Sequence, residues 1–376
     1  VSPIAVDDAV VVRAGSQIDI PVMENDVAAA GAGISLDPGS TTSSTDAALA
    51  FASGSHIRYL APKQPGTYGI TYTVYSTGSP SLADTATVTV TVLSDDLNRA
   101  PRPKMLEGRV LAGSTVTIPF DTFGVDPDGD TVMLAKILTQ PAAGTASIAA
   151  DGAGITYTSA LGKPGQYSFT YSVVDAAGES SSGIARVGVL DDRANPSPIT
   201  YTDYVQVQAG EASQVFVSPL QNDLDPTGGT MTVTNVIPNL AENLEDGSPN
   251  PEYDRWSSQI LSQTDGSIEI AAGINPGTMS YIYSVESASG NTGRGLIVVK
   301  VVREQVPSYP VVSDTVLTAE TRDKFPEGVD VLTGRVNWGG GDTGSLDVSL
   351  WGKPSGVSES GREIRGELPE KARIIP

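Results

Sequence analysis

The chain has 376 residues, no cysteine, a single histidine, and 44 acidic against 23 basic side chains, for a formal net charge of −21. That length holds about two to four domains of ordinary size. The missing thiols exclude thiolate zinc sites, disulfides and cysteine catalysis, and the anionic surface argues against nucleic acid or an anionic lipid surface as partner.

The first unit opens on AGSQIDIPVMEND (14–26), a turn, an alternating strand and an acidic loop. His56-Ile57-Arg58-Tyr59 is a short strand whose histidine, alone in the chain, leaves no histidine-rich metal site, and any histidine-based triad would rest on this one ring, which reads as a surface strand residue. PGTYGITYTV (65–74) follows, where Pro-Gly makes a turn and Tyr68, Ile70, Tyr72 and Val74 share one strand face. ATVTVTVLSDD (86–96) closes the unit with strict apolar–polar alternation.

The pattern then repeats. AGSTVTIPFDTFGVD (112–126), Ile155-Thr156-Tyr157, PGQYSFTYSV (164–173) and GIARVGVLDD (183–192) form a second unit. AGEASQVFVSPLQND (209–223), Ile268-Glu269-Ile270, PGTMSYIYSV (276–285) and GLIVVKVVRE (295–304) form a third. Linkers fall at 94–101, 191–198 and 304–310, each with a proline that stiffens it. The expected domains are therefore 1–96, 97–194 and 195–305, with 306–376 a partial fourth that lacks a Pro-Gly-Tyr strand. Its strands are expected at 311–318, 329–338 and 345–350, and Trp338 and Trp351 are read as strand residues packed in the core or at an edge. About seven short strands per unit, with no helical periodicity between them, point to all-β, immunoglobulin-like two-sheet antiparallel sandwiches in tandem. Laid end to end, four such units would make a rod on the order of 150 Å. The sequence starts inside its own pattern, so it reads as a segment of something longer.

Three features resemble the bacterial immunoglobulin-like and cadherin-like repeats of large surface and secreted proteins: PIAVDD with the later PVMEND, FGVDPDGD (123–130), and QNDLDP (221–226). The resemblance covers about 1–305 well. It implies an extracellular stalk, spacer or adhesive module, in some members rigidified by calcium, with neighbouring domains as first partners and no catalysis. An accessory region of a secreted enzyme is a further reading.

Asp126, Asp128 and Asp130 place three carboxylates on one tight turn, the hard-oxygen spacing that calcium takes, although the EF-hand glycine and terminal glutamate are missing. Asp95, Asp96 and Asn98, and likewise Asp191, Asp192 and Asn195, loosely resemble the linker ligands of cadherin-like repeats. The competing reading is a solvated turn, because Asp, Gly and Pro are turn residues. GGGDTG (339–344) matches a dinucleotide fingerprint and holds the tetrapeptide of an aspartic protease around Asp342, but it sits where a hairpin loop is expected. The third unit carries about a dozen extra residues at 239–259, acidic and with Tyr253 and Trp256. That loop is the candidate site for a protein or glycan ligand; otherwise it is a packed insertion with Trp256 covering the sandwich edge.

Overall fold

The computed structural model describes residues 1–264, 266–317, 321–339, 341–370 and 375–376. In the first unit the strands are β1 (Asp8–Arg13), β2 (Gln17–Ile20), β3 (Ile34–Leu36), β4 (Thr42–Ser43), β5 (Leu49–Ser53), β6 (His56–Leu60), β7 (Gly66–Ser76) and β8 (Ser79–Leu93). They build one sheet in the order β1-β8-β7-β3, with β4 also on β7, and a facing sheet β2-β6-β5. The second unit comprises β9 (Leu106–Leu111), β10 (Thr115–Pro119), β11 (Val132–Thr139), β12 (Thr145–Ile148), β13 (Gly154–Thr158), β14 (Gly165–Asp175) and β15 (Ser180–Leu190). Its sheets are β9-β15-β14-β11 and β10-β13-β12. The third comprises β16 (Asp203–Gln208), β17 (Gly210–Val217), β18 (Met231–Pro238), a helix α1 (Pro251–Ser258), β19 (Ile260–Thr264), β20 (Ser267–Gly273), β21 (Gly277–Ser287) and β22 (Thr292–Val302). Its sheets are β16-β22-β21-β18 and β17-β20-β19. Tandem immunoglobulin-like sandwiches are thus the architecture. One detail differs from a purely antiparallel plan: β1, β9 and β16 each run parallel to the closing strand of their unit.

Alternation decides which residues go inside. Ile70, Tyr72 and Val74, then Phe169, Tyr171 and Val173, then Met279, Tyr281, Tyr283 and Val285 are all buried, and three separate hydrophobic clusters result. Tyr72, Tyr171 and Tyr283 hold one position, each facing a small residue across the strand pair: Ala86, Gly183 and Gly295. A Cβ at Gly295 would lie 2.2 Å from the Tyr283 ring, so the ring uses the space that a side chain would fill.

A buried tyrosine hydroxyl needs a partner. The Tyr171 hydroxyl donates to the Lys104 carbonyl at 2.7 Å. In the outer units an aspartate serves: Tyr72 donates to Asp8 at 2.9 Å, with Asp26 also in reach, and Tyr283 donates to Asp223 at 2.8 Å. Burial pushes the Asp8 and Asp26 carboxyls up. Burial, reinforced by the charge of Asp223, pushes Asp203 up to about 7, against one amide hydrogen bond from Asn222.

The units do not form a straight rod. Gly78 of the first donates its amide to Gln206 of the third at 2.6 Å, Gln206 in turn donates to the Tyr75 hydroxyl, and Tyr75 is 2% exposed. Gly33 and Gly78 present bare backbone to Tyr204 and Lys300. Arg58 of the first unit pairs with both Asp19 and Asp314. Beyond 305 the strands are short: β23 (Val311–Val312), β24 (Val329–Asp330), β25 (Val336–Asn337), β26 (Val357–Ser360) and β27 (Glu363–Gly366). Thr318, the end of the first expected strand, lies outside the described residues. No strand occupies 345–350, and Trp351 sits in a turn, 37% exposed. Trp338 follows β25 and donates to Ser308.

Gly295→Val should destabilise the third unit by about 1–3 kcal/mol through overpacking against Tyr283, measured by chemical denaturation. A second expectation follows from Asp203. Its folded-state pKa is raised, so its contribution to stability is complete below the ordinary carboxylate range and is lost as pH rises through about 7. Asp203→Asn should raise the melting temperature at pH 8 and leave it little changed at pH 4.

Candidate functional site

The DPDGD segment connects β10 to β11 and forms a tight turn. Asp126 Oδ1 accepts the amides of Asp128 at 2.8 Å and Asp130 at 3.2 Å, the usual way an aspartate closes the turn it begins. Gly129 lies at φ +76°, and a Cβ there would stand 2.0 Å from the Val11 carbonyl oxygen. The turn is therefore pressed directly onto β1 of the preceding unit, and Phe123 beside it packs on the first core.

That docking brings the carboxylates to two arginines. Arg13, the last residue of β1, makes a two-pronged contact with Asp130: Nε to Oδ1 at 3.0 Å and an Nη to Oδ2 at 2.7 Å. The same guanidinium donates to Asn98 Oδ1 at 2.6 Å and to the Asp95 carbonyl. Arg99 in the linker donates its amide and its Nε to Asp128 at 2.6 and 2.7 Å. Arg13, Asp128 and Asp130 are 8%, 1% and 7% exposed, so the pairing takes place out of water.

Burial alone would raise the Asp128 carboxyl, but the Arg99 amide and guanidinium, with the charge of Arg13, hold it below the usual range. Asp126 goes the other way. Burial pushes it up, the Asp128 and Asp130 amides offset part of this, and the neighbouring carboxylates add repulsion.

The three expected ligands do not converge. Asp128 is turned toward Arg99, and its place is taken by Asp175 at the end of β14. One oxygen from each of Asp126, Asp130 and Asp175 lies within 4.8 Å of the others. Asp175 Oδ1 accepts the amides of Ala177 and Glu179 at 2.9 Å. Its Oδ2 and that of Asp126 are buried and have no hydrogen-bond donor among the described residues. Asp175 had a signal in the sequence: the matching positions in the other units are Ser76 and Ser287. Of the linker residues, Asn98 reaches the cluster by its side chain and Asp95 by its carbonyl only. Asp96, Asp192 and Asn195 are exposed, and Asp191 folds back on Arg193.

The next joint repeats the backbone contact with a single buried carboxylate, Asp225, in its turn. Asp225 Oδ1 accepts the amide and hydroxyl of Thr227. Gly228, at φ +73°, would place a Cβ 2.0 Å from the Arg109 carbonyl oxygen. Leu111, at the end of β9, donates its amide to the Thr227 carbonyl at 3.1 Å.

The insertion at 239–259 is not an open loop. Asn250 caps α1 by accepting the Glu252 amide, and Pro251 occupies the first turn. Trp256 packs on the third core with its ring 6.0 Å from that of Tyr281, whose hydroxyl donates to the Trp256 carbonyl. Tyr253 is half-buried, so the two aromatics do not stand out as a flat exposed platform. His56 is exposed beside Ser55. Asp342 is exposed and caps a short turn through the Gly344 amide; Gly340 of the same motif lies outside the described residues.

Residues 98–188 match the family model described as the bacterial Ig domain, and the same sheet order recurs in the units on either side. Among solved structures, Drosophila N-cadherin EC1-4 aligns at a TM-score of 0.27 and 12% identity, covering 96% of this chain and 90% of that one. The four N-terminal Ig domains of Dscam1 isoform 9.44 align at 0.26 and 10%, covering 79% and 78%. An endo-fucoidan hydrolase of glycoside hydrolase family 107 aligns at 0.23 and 15%, covering 80% of this chain and 44% of the hydrolase. At such scores none of these likenesses bears on function. No curated protein sequence matches the chain.

Removing one member of a buried ion pair leaves the other charge uncompensated. Arg13→Met should therefore cost about 3–5 kcal/mol. Arg99→Met should cost less, because the Arg99 side chain is 54% exposed and its backbone amide still serves Asp128. Urea unfolding of both variants checks the ranking.

Proposed function

We propose that the chain is a non-catalytic, extracellular repeat segment of a bacterial surface or secreted protein, a spacer that holds its neighbours in a set geometry. The observation that carries this reading is the docked turn. At both joints a glycine of an Asp-Pro-x-Gly turn rests on a backbone carbonyl of the unit before it. Such a contact fixes orientation as well as distance, which a spacer with flexible linkers would lack. The partners in this reading are the neighbouring domains themselves. The net charge of −21 disfavours nucleic acid, and no described helix is long and apolar enough to cross a membrane. A role for Tyr253 and Trp256 in holding a glycan or protein is less well supported, because Trp256 closes its own sandwich.

Small-angle X-ray scattering of the whole chain tests the reading. The native protein should scatter as a particle of fixed shape, and Gly129→Val and Gly228→Val should each lengthen it. A native profile already that of a flexible string would overturn the spacer of set geometry.

A second reading is favoured by the bare oxygens of Asp126 and Asp175. With Asp130 they supply hard donors of the kind a divalent cation such as calcium takes. A cation there would relieve the repulsion among the three carboxylates and add to the hold of Arg13. Calcium should then raise the melting temperature relative to chelator, and Asp175→Asn should remove the difference. Identical melting in calcium and chelator would leave Arg13 as the cluster's cation.

A further inference from the structure

The two joints share a backbone contact and differ in chemistry at four matched positions and at Arg99, whose counterpart is Pro196. Arg13 at the end of β1 corresponds to Leu111 at the end of β9. Asp128 corresponds to Thr227, Asp130 to Gly229 and Asp175 to Ser287. All four change together, from a guanidinium and three carboxylates to four uncharged side chains.

Mixed joints would be poor. Leu111 set against an Asp-Pro-Asp-Gly-Asp turn would leave Asp130 buried with no guanidinium to receive it, since Arg99 is engaged with Asp128. Arg13 set against the third unit's turn would meet Gly229 and a Thr227 hydroxyl already donated to Asp225. A buried charge without its partner is costlier than an apolar contact, so each end rejects the other's turn more strongly than it prefers its own.

We propose that the first unit ends in a charge-selective socket, Arg13 with Asn98, whose partner is a repeat unit presenting the acidic turn, and that the second unit ends in a neutral socket selective for a turn without those acids. The order of units is then written in the joints themselves. The inference rests on the docked turns described above, whether or not the array serves as a spacer.

Hydrogen exchange read by mass spectrometry in the full chain tests it, with chelator present so that no metal ion replaces the guanidinium. Arg13→Leu alone should speed exchange in the peptide around 125–131 about tenfold or more by local opening. Adding Asp128→Thr, Asp130→Gly and Asp175→Ser to Arg13→Leu completes the neutral set and should restore protection. The reverse graft begins with Leu111→Arg, which should loosen the peptide around 224–230. Adding Pro196→Arg, Thr227→Asp, Gly229→Asp and Ser287→Asp should tighten it again. The proposal is overturned if the single variants exchange like the native chain, or if neither completed set is better protected than its single variant. Loss of protection in both glycine-to-valine variants, with no rescue in either graft, would leave the docked turns standing and sink the selectivity alone.

Discussion

The carbonyl oxygens of Val11 and Arg109 stand 2.0 Å from where a Cβ would lie at Gly129 and Gly228. Only a residue without a side chain lets the following unit's turn come this close, and both glycines adopt a positive φ that other residues reach at a cost. Everything that distinguishes this array from beads on a string depends on that fit. It seats Phe123 on the first core and places Asp128 and Asp130 beside Arg99 and Arg13. With the contact between Gln206 and the Tyr75–Gly78 segment, it brings the first and third units together.

The electrostatics follow from the seating. Carboxylates on an exposed turn would gain little from nearby arginines, since water and salt screen such pairs. Out of water the same groups must be matched or pay heavily. Asp128 and Asp130 are matched, each by more than one hydrogen bond. Asp126 and Asp175 spend one oxygen on closing their own turns and leave the other bare. Against a chain charge of −21, the first joint concentrates cations where the fold most needs them.

The sandwich was legible in the sequence because a strand's period of two writes its buried face directly: Tyr72, Tyr171 and Tyr283 stand at equivalent positions, as the three Pro-Gly strands imply. The parallel pairing of β1, β9 and β16 leaves no such trace, since alternation is the same in either direction. The joint was half legible. The acidic turn is plain, but its partner Arg13 lies 117 residues away, and nothing local marks it as anything but the end of a strand. Asp175 was visible only by comparing it with Ser76 and Ser287. The helix at 251–258 had its signals in Asn250 and Pro251, a capping residue followed by a first-turn proline, within a segment whose acidity reads as loop. Contacts between the first and third units depend on how two joints compound, which no repeat pattern encodes.

Docked turns fix neighbouring units relative to one another in this account of the chain. Electron spin resonance distances test it most directly, because the chain has no cysteine and a pair of introduced labels reports on itself alone. With Ser55→Cys in the first unit and Ser147→Cys in the second, both away from the joint, a docked turn should give a single narrow distance distribution. A broad distribution for the native joint would contradict it.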